Sequence, residues 1–242
     1  MDCLEGMKRI ADQSIDMVLC DLPYGITGNK WDTIIPFGSL WEQYERITKK
    51  DSAIVLSACG GFTNKVVNSK PDYFRYKWIW VKNNATNPMN AKNRPMNSFE
   101  EILVFSKGTT ANQSLNRMKY FPQGVLKLNN ETLENLTLFE MEKEKERYQK
   151  GGTNYPKDVL YFHQDKDRFH PTQKPVQLFE YLVKTYTNKG DVVLDNCMGS
   201  GTTAIACINT ERQYIGFETN EGYYAEAIKR IEENTTQLSL FA

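Results

Sequence analysis

Histidine is scarce in this chain: His163 and His170 are the only two in 242 residues. The five cysteines (Cys3, Cys20, Cys59, Cys197 and Cys207) show no C-x-x-C spacing. Structural zinc sites and disulfide frameworks need such ligands at short paired intervals, so neither is expected, and no residue is assigned to a metal. Long apolar runs are also missing. Nothing approaches the roughly 20 consecutive apolar residues that cross a bilayer. The opening Met1-Asp2-Cys3-Leu4-Glu5-Gly6 has neither the basic nor the apolar region of a signal peptide, so a cytoplasmic protein with no membrane partner is expected. Excess charge is absent too, since thirty Lys and Arg balance thirty Asp and Glu.

What the net charge hides, its distribution shows. Between Lys65 and Lys119 there are ten basic residues against three acidic ones, an excess that suits a polyanionic partner. Between Glu131 and Arg147 the sign reverses, with six Glu against three basic residues. With 40% hydrophobic residues the chain can bury a full core, and its length fits one domain with an insertion.

Short apolar runs alternate with amphipathic ones. Strands are expected at Asp16–Cys20, Ala53–Ser57, Tyr76–Val81, Glu101–Phe105, Val192–Asp195 and Tyr214–Glu218. Helices are expected at Leu40–Ile47, after Gly60-Gly61, and over Gln177–Tyr186, Thr202–Ile208 and Gly222–Glu233. That rhythm predicts an α/β fold, doubly wound, with a mostly parallel sheet covered on both faces. From residue 108 to 167 the rhythm breaks into a polar, Asn- and Lys-rich stretch that reads as an inserted lobe. The expected division is therefore 1–107, the lobe 108–167, a second half of the main domain over 168–234, and a tail over 235–242.

Two strand ends carry the chemistry. Val192-Val193-Leu194 runs into Asp195-Asn196-Cys197-Met198-Gly199-Ser200-Gly201-Thr202-Thr203, a strand, glycine turn and helix start of the kind that lets backbone approach a nucleotide-like cofactor. Glu218 ends the next strand, where an acid would meet a ribose. The first strand ends in Asp21-Leu22-Pro23-Tyr24-Gly25, placing a carboxylate, a rigid proline and an aromatic ring at one tip. Such a tip can grip a planar base and accept a hydrogen bond from its amino group. A NAD-type fold would continue with several strands after the glycine turn, but fewer than forty residues follow Glu218. Group transfer to a nucleobase is the better reading.

In these motifs the chain resembles the amino-group DNA methyltransferases of the β-type motif order, in which a D-P-P-Y motif comes first and the cofactor turn comes late. Asp21-Leu22-Pro23-Tyr24 is similar to the catalytic motif. His170-Pro171-Thr172-Gln173-Lys174-Pro175 is similar to the segment at the methionine part of S-adenosylmethionine. Asp195 to Thr203 resembles the D-P-F-x-G-S-G-T-T turn, and Gly216-Phe217-Glu218 the ribose-binding strand end. Trp80-Val81-Lys82, Pro88, Asn90 and Phe99 to Phe105 resemble the closing strands. The resemblance implies a sheet of the S-adenosylmethionine-dependent methyltransferase type with a target-recognition lobe. It implies S-adenosyl-L-methionine as cofactor, double-stranded DNA as partner, and a bacterial or bacteriophage origin, with a homodimer and restriction-modification both compatible. The catalytic residues it implies are Asp21, Pro23 and Tyr24. The cofactor residues it implies are Asp2, Asp21, His170, Thr172, Lys174, Asp195, Met198, Gly199, Ser200, Gly201, Thr202, Thr203 and Glu218. Lys82, Arg94, Arg117 and Lys119 are candidate DNA contacts, with Tyr120 and Phe121 beside the last two.

The implied reaction is methylation of the N6 amino group of adenine at specific DNA sites. Asp21 and the Pro23 carbonyl would accept from that amine, and Tyr24 would stack on the base once it has left the duplex. N4-cytosine methylation is the alternative. Leu22 stands where the family has its first proline, and Asn196-Cys197 where it has Pro-Phe. These departures also leave a catalytically impaired DNA-binding relic as a reading. At the far end, Gln237-Leu238-Ser239-Leu240-Phe241 looks like the short peptide with which bacterial proteins bind the replicative sliding clamp, here expected on a mobile tail.

Overall fold

Six consecutive buried residues, Ile15–Cys20, form an inner strand, β1, of a seven-stranded sheet. The computed structural model describes residues 1–27, 29, 32–126, 153–165 and 173–240, the last three by backbone alone. Around β1, in chain order, lie α1 (Cys3–Met7), α2 (Phe37–Ile47), β2 (Thr48–Ala58), α3 (Gly61–Ser69), β3 (Phe74–Thr86), β4 (Asn97–Phe105) and β5 (Val159–Tyr161). Then follow α4 (Val176–Tyr186), β6 (Val192–Asp195), α5 (Thr202–Asn209), β7 (Gln213–Gly216) and α6 (Glu221–Leu240).

The strand order is β5-β3-β4-β2-β1-β6-β7. β1 pairs in parallel with β2 and β6, and β6 with β7. β4 alone is reversed, antiparallel to both β2 and β3. The expected doubly wound, mostly parallel α/β architecture is what is found. Apart from Asp16, the strand β1 is apolar because both its faces are covered. Val18 and Cys20 point into one core with Leu40, Trp41, Tyr44, Ile47 and Phe62 from α2 and α3. Met17 and Leu19 point into the other, with Leu178, Phe179, Leu182, Val183 and Tyr186 from α4. Each such side chain contributes about 1.5–3 kcal/mol on burial.

Several boundaries differ from expectation. The helix α1 is too short to show a periodicity; the Asp2 side chain starts it by accepting from the Leu4 and Glu5 backbone N–H groups at 2.9 and 3.2 Å. β3 runs to Thr86, beyond the aromatic alternation, because its last residues leave the core and become polar. The last helix does not stop near Glu233 but continues to Leu240. Residues 235–240 are thus not an extended tail, and the clamp-type peptide is not displayed as a free strand; Phe241 lies outside the described residues.

Both described ends of the stretch expected as an inserted lobe pack with the main domain, one in its sheet and one on its core. Val159–Tyr161 pairs with β3, and Met118 is buried in the α4 core. Because β4 runs opposite to β1, the chain leaves it at the amino ends of the parallel strands. There Lys119 Nζ reaches Asp16 Oδ1 at 2.8 Å and Asp191 Oδ2 at 3.0 Å. Asp16, 2% exposed, also accepts from Lys49 at 2.8 Å and from the Val192 N–H at 3.1 Å. Burial alone would raise the Asp16 carboxyl, but these partners outweigh it and hold it below the usual range. Lys119 is therefore held between two carboxylates as a structural cation. Phe121 is likewise engaged, its N–H donating to the Thr185 carbonyl at 2.7 Å, and Tyr120 packs toward Tyr186. Arg117 is exposed, but it pairs by backbone with Thr109 at this same end.

Candidate active site

The chain leaves β1 toward α2 on one face of the sheet and leaves β6 toward α5 on the other. Between the carboxyl ends of these adjacent parallel strands a crevice must open, the usual ligand position in doubly wound sheets. The cleft there has a volume of about 740 Å³, within the range of small-molecule sites, roughly 300–1,000 Å³. Asp21, Pro23 and Tyr24 line it from β1, and Asp195, Met198, Gly199, Ser200 and Thr202 from the turn after β6. Asp2, Lys174 and Glu218 complete the set. Residues from both ends of the sequence thus meet in one place. His170 and Thr172 lie outside the described residues.

The carboxylate of Asp21 is held from two sides. Its Oδ1 accepts the Tyr24 hydroxyl at 2.8 Å, and its Oδ2 accepts Lys174 Nζ at 2.6 Å. Lys174 also lies 3.2 Å from Glu100, whose other oxygen lies 2.7 Å from Lys82. Four charges alternate along this line: Lys82, Glu100, Lys174, Asp21. Burial pushes the Asp21 carboxyl up, opposed by Lys174 and aided by the Glu100 charge. Burial works against the Lys174 ammonium, but Asp21 and Glu100 outweigh it and hold the proton on. Glu100 is buried as well, yet its two lysine neighbours keep it below the ordinary glutamate range. The Lys82 side chain is only 6% exposed, and its charge is committed to this network.

Tyr24 is fixed by packing. Its ring stacks on Phe62 with centroids 4.8 Å apart and planes at 27°. The loop that carries it is fixed by Asp32, which accepts from the Gly25, Ile26 and Thr27 N–H groups at 2.8, 2.9 and 2.6 Å. Burial would raise Asp32, but these backbone donors hold it low. Gly25 sits at φ 67°, where an added Cβ would also meet Ile34 at 2.9 Å. Neither Asp32 nor Phe62 stands out in the sequence, because each acts only through tertiary contact.

The turn after β6 is organised by its own acid. Asp195 accepts from the Cys197 N–H at 3.0 Å and from the Thr203 hydroxyl. Burial pushes its carboxyl up to about 6, against the pull of these donors. Thr203 and Gly201 do not line the cleft. Thr203 anchors Asp195, while Gly201, at φ 73°, caps α5 and leaves room for Ile231 and Ala227 of α6. Asn196, in place of the family's proline, accepts from the buried Tyr44 hydroxyl and donates toward the Cys3 and Cys197 sulfurs, tying α2 to the turn.

Glu218 stands at the rim. One oxygen accepts the Gly199 N–H at 3.0 Å and the other the Asn220 N–H at 2.8 Å. These donors fix the carboxylate while leaving lone pairs for a vicinal diol. Asp2 uses its carboxylate to cap α1, so it reaches the cleft as part of a helix start. Among the described residues no grouping of His, Cys, Asp and Glu is arranged to hold a metal ion, and no helix is long and apolar enough to cross a membrane.

The profile of the N6/N4 DNA methylase family matches residues 15–229. The chain belongs to this family. This DNA methyltransferase is 26% identical over 259 aligned positions to the type II methyltransferase M1.MboII of Moraxella bovis, across 94% of this chain and 93% of that one. Among solved structures, the M1.HpyAVI complex with S-adenosylmethionine superposes with a TM-score of 0.63 at 24% identity, covering 95% of this chain and 96% of that one. The cytosine-N4-specific PvuII methyltransferase superposes with a TM-score of 0.67 at 17% identity, covering 98% and 88%. At those identities the two structures speak to the fold.

Proposed function

We propose that this DNA methyltransferase transfers the methyl group of S-adenosylmethionine to the N6 amino group of adenine at specific sites in double-stranded DNA. The observation that carries the reading is the Asp21 carboxylate, oriented by Lys174 and Tyr24, in the same cleft as the Asp195–Thr202 turn and Glu218. The cofactor, when bound, supplies an electrophilic methyl group. The Glu218 carboxylate would hold its ribose hydroxyls, and the backbone turn at Gly199 lets it come close.

An exocyclic amine is a weak nucleophile because its lone pair is delocalised into the ring. Asp21 and the Pro23 carbonyl would each accept a hydrogen bond from that nitrogen, favouring a pyramidal geometry that frees the lone pair. Catalysis is then mainly positioning and electrostatics. To accept the amine, Asp21 Oδ1 would use its second lone pair or give up the Tyr24 hydroxyl, and the Tyr24 ring would stack on the base. With Lys174 held protonated on Oδ2, Oδ1 or water would take up the proton that the amine releases.

Asp, where cytosine enzymes of this type tend to carry Ser, favours adenine. The second reading, cytosine N4, is supported by the fold shared with the PvuII enzyme, since two acceptors suit either amine. Mass spectrometry of nucleosides from DNA treated with enzyme and cofactor decides between them. N6-methyladenine is the expected product; N4-methylcytosine supports the second reading, and no methylated nucleoside would sink both.

A further inference from the structure

Beyond Lys82 and Glu100, the chemistry leaves unused the outer part of a long two-stranded ribbon that rises past the catalytic end of the sheet. Its height follows from register. Cys20, the last residue of β1, pairs with Leu56, Leu56 with Leu103, and Leu103 with Lys77. β3 runs parallel to β1 and continues from that level through Trp78–Thr86, nine further residues. At about 3.3 Å each, the ribbon has roughly 30 Å of contour length beyond the end of β1 before it turns, and it leans over the cleft. Its inner side faces the cleft, which Asn84, Thr86, Asn97 and Phe99 line together with Asp21 and Tyr24.

The tip is built, not frayed. Thr86 pairs with Asn97 across the ribbon, and between them Ala91 N–H donates to the Pro88 carbonyl at 3.1 Å and Arg94 N–H to that of Asn90 at 3.0 Å. On this turn Met89 is 94% exposed. At that exposure the side chain is hardly packed against the rest of the protein. Its surroundings identify the partner. From Asn83 to Ser98 there are six Asn, Lys92 and Arg94, and no acidic residue. Amides that match base edges, cations that match phosphates, and an apolar side chain at the apex together suit a DNA groove.

Resting on the DNA methyltransferase reading above, we propose that the β3–β4 ribbon enters the duplex beside the target base and that Met89 fills the place the base leaves in the stack. A base reaching Asp21 from a duplex must leave a gap, and unstacking costs a few kcal/mol unless something occupies it. An unbranched, polarisable side chain fits an irregular apolar gap well. The proposal also moves target contact from the 108–121 segment, which lies at the opposite end of the strands, to an element that stands over the cleft.

The test is a series at one exposed position: Met89→Leu, Met89→Ala and Met89→Gln, assayed by methyl transfer from labelled S-adenosylmethionine to unmodified native bacterial DNA. An apolar wedge predicts that Leu stays within about twofold of wild type while Ala and the size-matched polar Gln each lose about tenfold or more in kcat/KM. Cofactor affinity should be unchanged in all three. An Ala variant as active as wild type, or a Leu variant as damaged as Ala, overturns the wedge while leaving the methyltransferase reading intact. Wild-type protein that transfers no methyl group to native DNA overturns both.

Discussion

Lys174 and Asp21 are 153 positions apart in sequence, and the lysine Nζ lies 2.6 Å from the aspartate Oδ2. One comes from the segment before α4 and the other from the tip of β1, so the fold must close before either has its partner. The pair gives Asp21 a fixed orientation and leaves its other oxygen to the Tyr24 hydroxyl at the cleft.

Replacing Asp21 by Asn keeps the shape of the side chain but removes its charge. Turnover should fall on the order of 10²–10³-fold, the usual effect of losing one preorganised electrostatic partner. Cofactor binding, measured by calorimetry, should be nearly unaltered. Near-normal turnover in this variant would falsify the mechanism.

Lys174→Met leaves Asp21 and Glu100 as neighbouring, half-buried carboxyls without the cation between them. Both should then bind protons more readily. The acid limb of the kcat profile is expected to move to higher pH, because more base is needed to ionise Asp21. A lysine that serves only to fill space would lower activity without displacing the limb.

Glu218→Ala should weaken S-adenosylmethionine binding by about 1–3 kcal/mol. Part of that loss comes from the Gly199 and Asn220 N–H groups, which lose their acceptor. Glu218→Gln keeps one acceptor oxygen and should lose less. Unchanged affinity in the Ala variant would place the ribose elsewhere.

At the opposite end of the sheet, Lys119→Met should lower stability by about 1–3 kcal/mol, since Asp16 keeps Lys49 but Asp191 loses its ammonium partner. DNA affinity and its salt dependence should not change. Urea denaturation and fluorescence anisotropy separate the two, and a weakened DNA complex at unaltered stability would restore Lys119 as a contact.

Asp195 provides a pH signature. Its carboxyl is raised to about 6 in the folded protein, so between the ordinary aspartate value and about 6 the folded state holds more protons than the unfolded state. Its contribution is full below that window and is lost as pH rises through it, on the order of 3 kcal/mol in all. Asp195→Asn should remove this slope. Thermal melts of both proteins from pH 4 to 7 should therefore show the variant gaining on wild type as pH rises.

The main elements were legible because both periodicities are strong. Val192–Asp195 reads directly, and the Leu40, Trp41, Tyr44, Ile47 stripe falls on the buried face of α2. The motif residues were legible because glycine, proline and acid at strand ends are local necessities. What escaped was whatever depends on direction through space. A basic stretch between Lys65 and Lys119 looks uniform in sequence, but β3 carries part of it up past the cleft and β4 carries the rest down to the far end. Lys82 and Lys119 have the composition of DNA contacts and the environment of structural cations. The final helix outran its expected end because Thr235 and Thr236 return their hydroxyls to the Ile231 and Glu232 carbonyls instead of breaking the turn.

The pairing of β1 with β6 also sets a timetable for the molecule. Asp16 reaches the Val192 N–H across 176 positions, among the most remote contacts in the sheet. Contacts of such separation form slowly, because a long loop must close before they yield anything. The cleft lies on that seam, with one wall from each side. A chain still being synthesised therefore has neither half of the pocket in working form until β6 docks. The ability to bind cofactor should appear with the last long-range step of folding, which makes ligand binding a reporter of its completion.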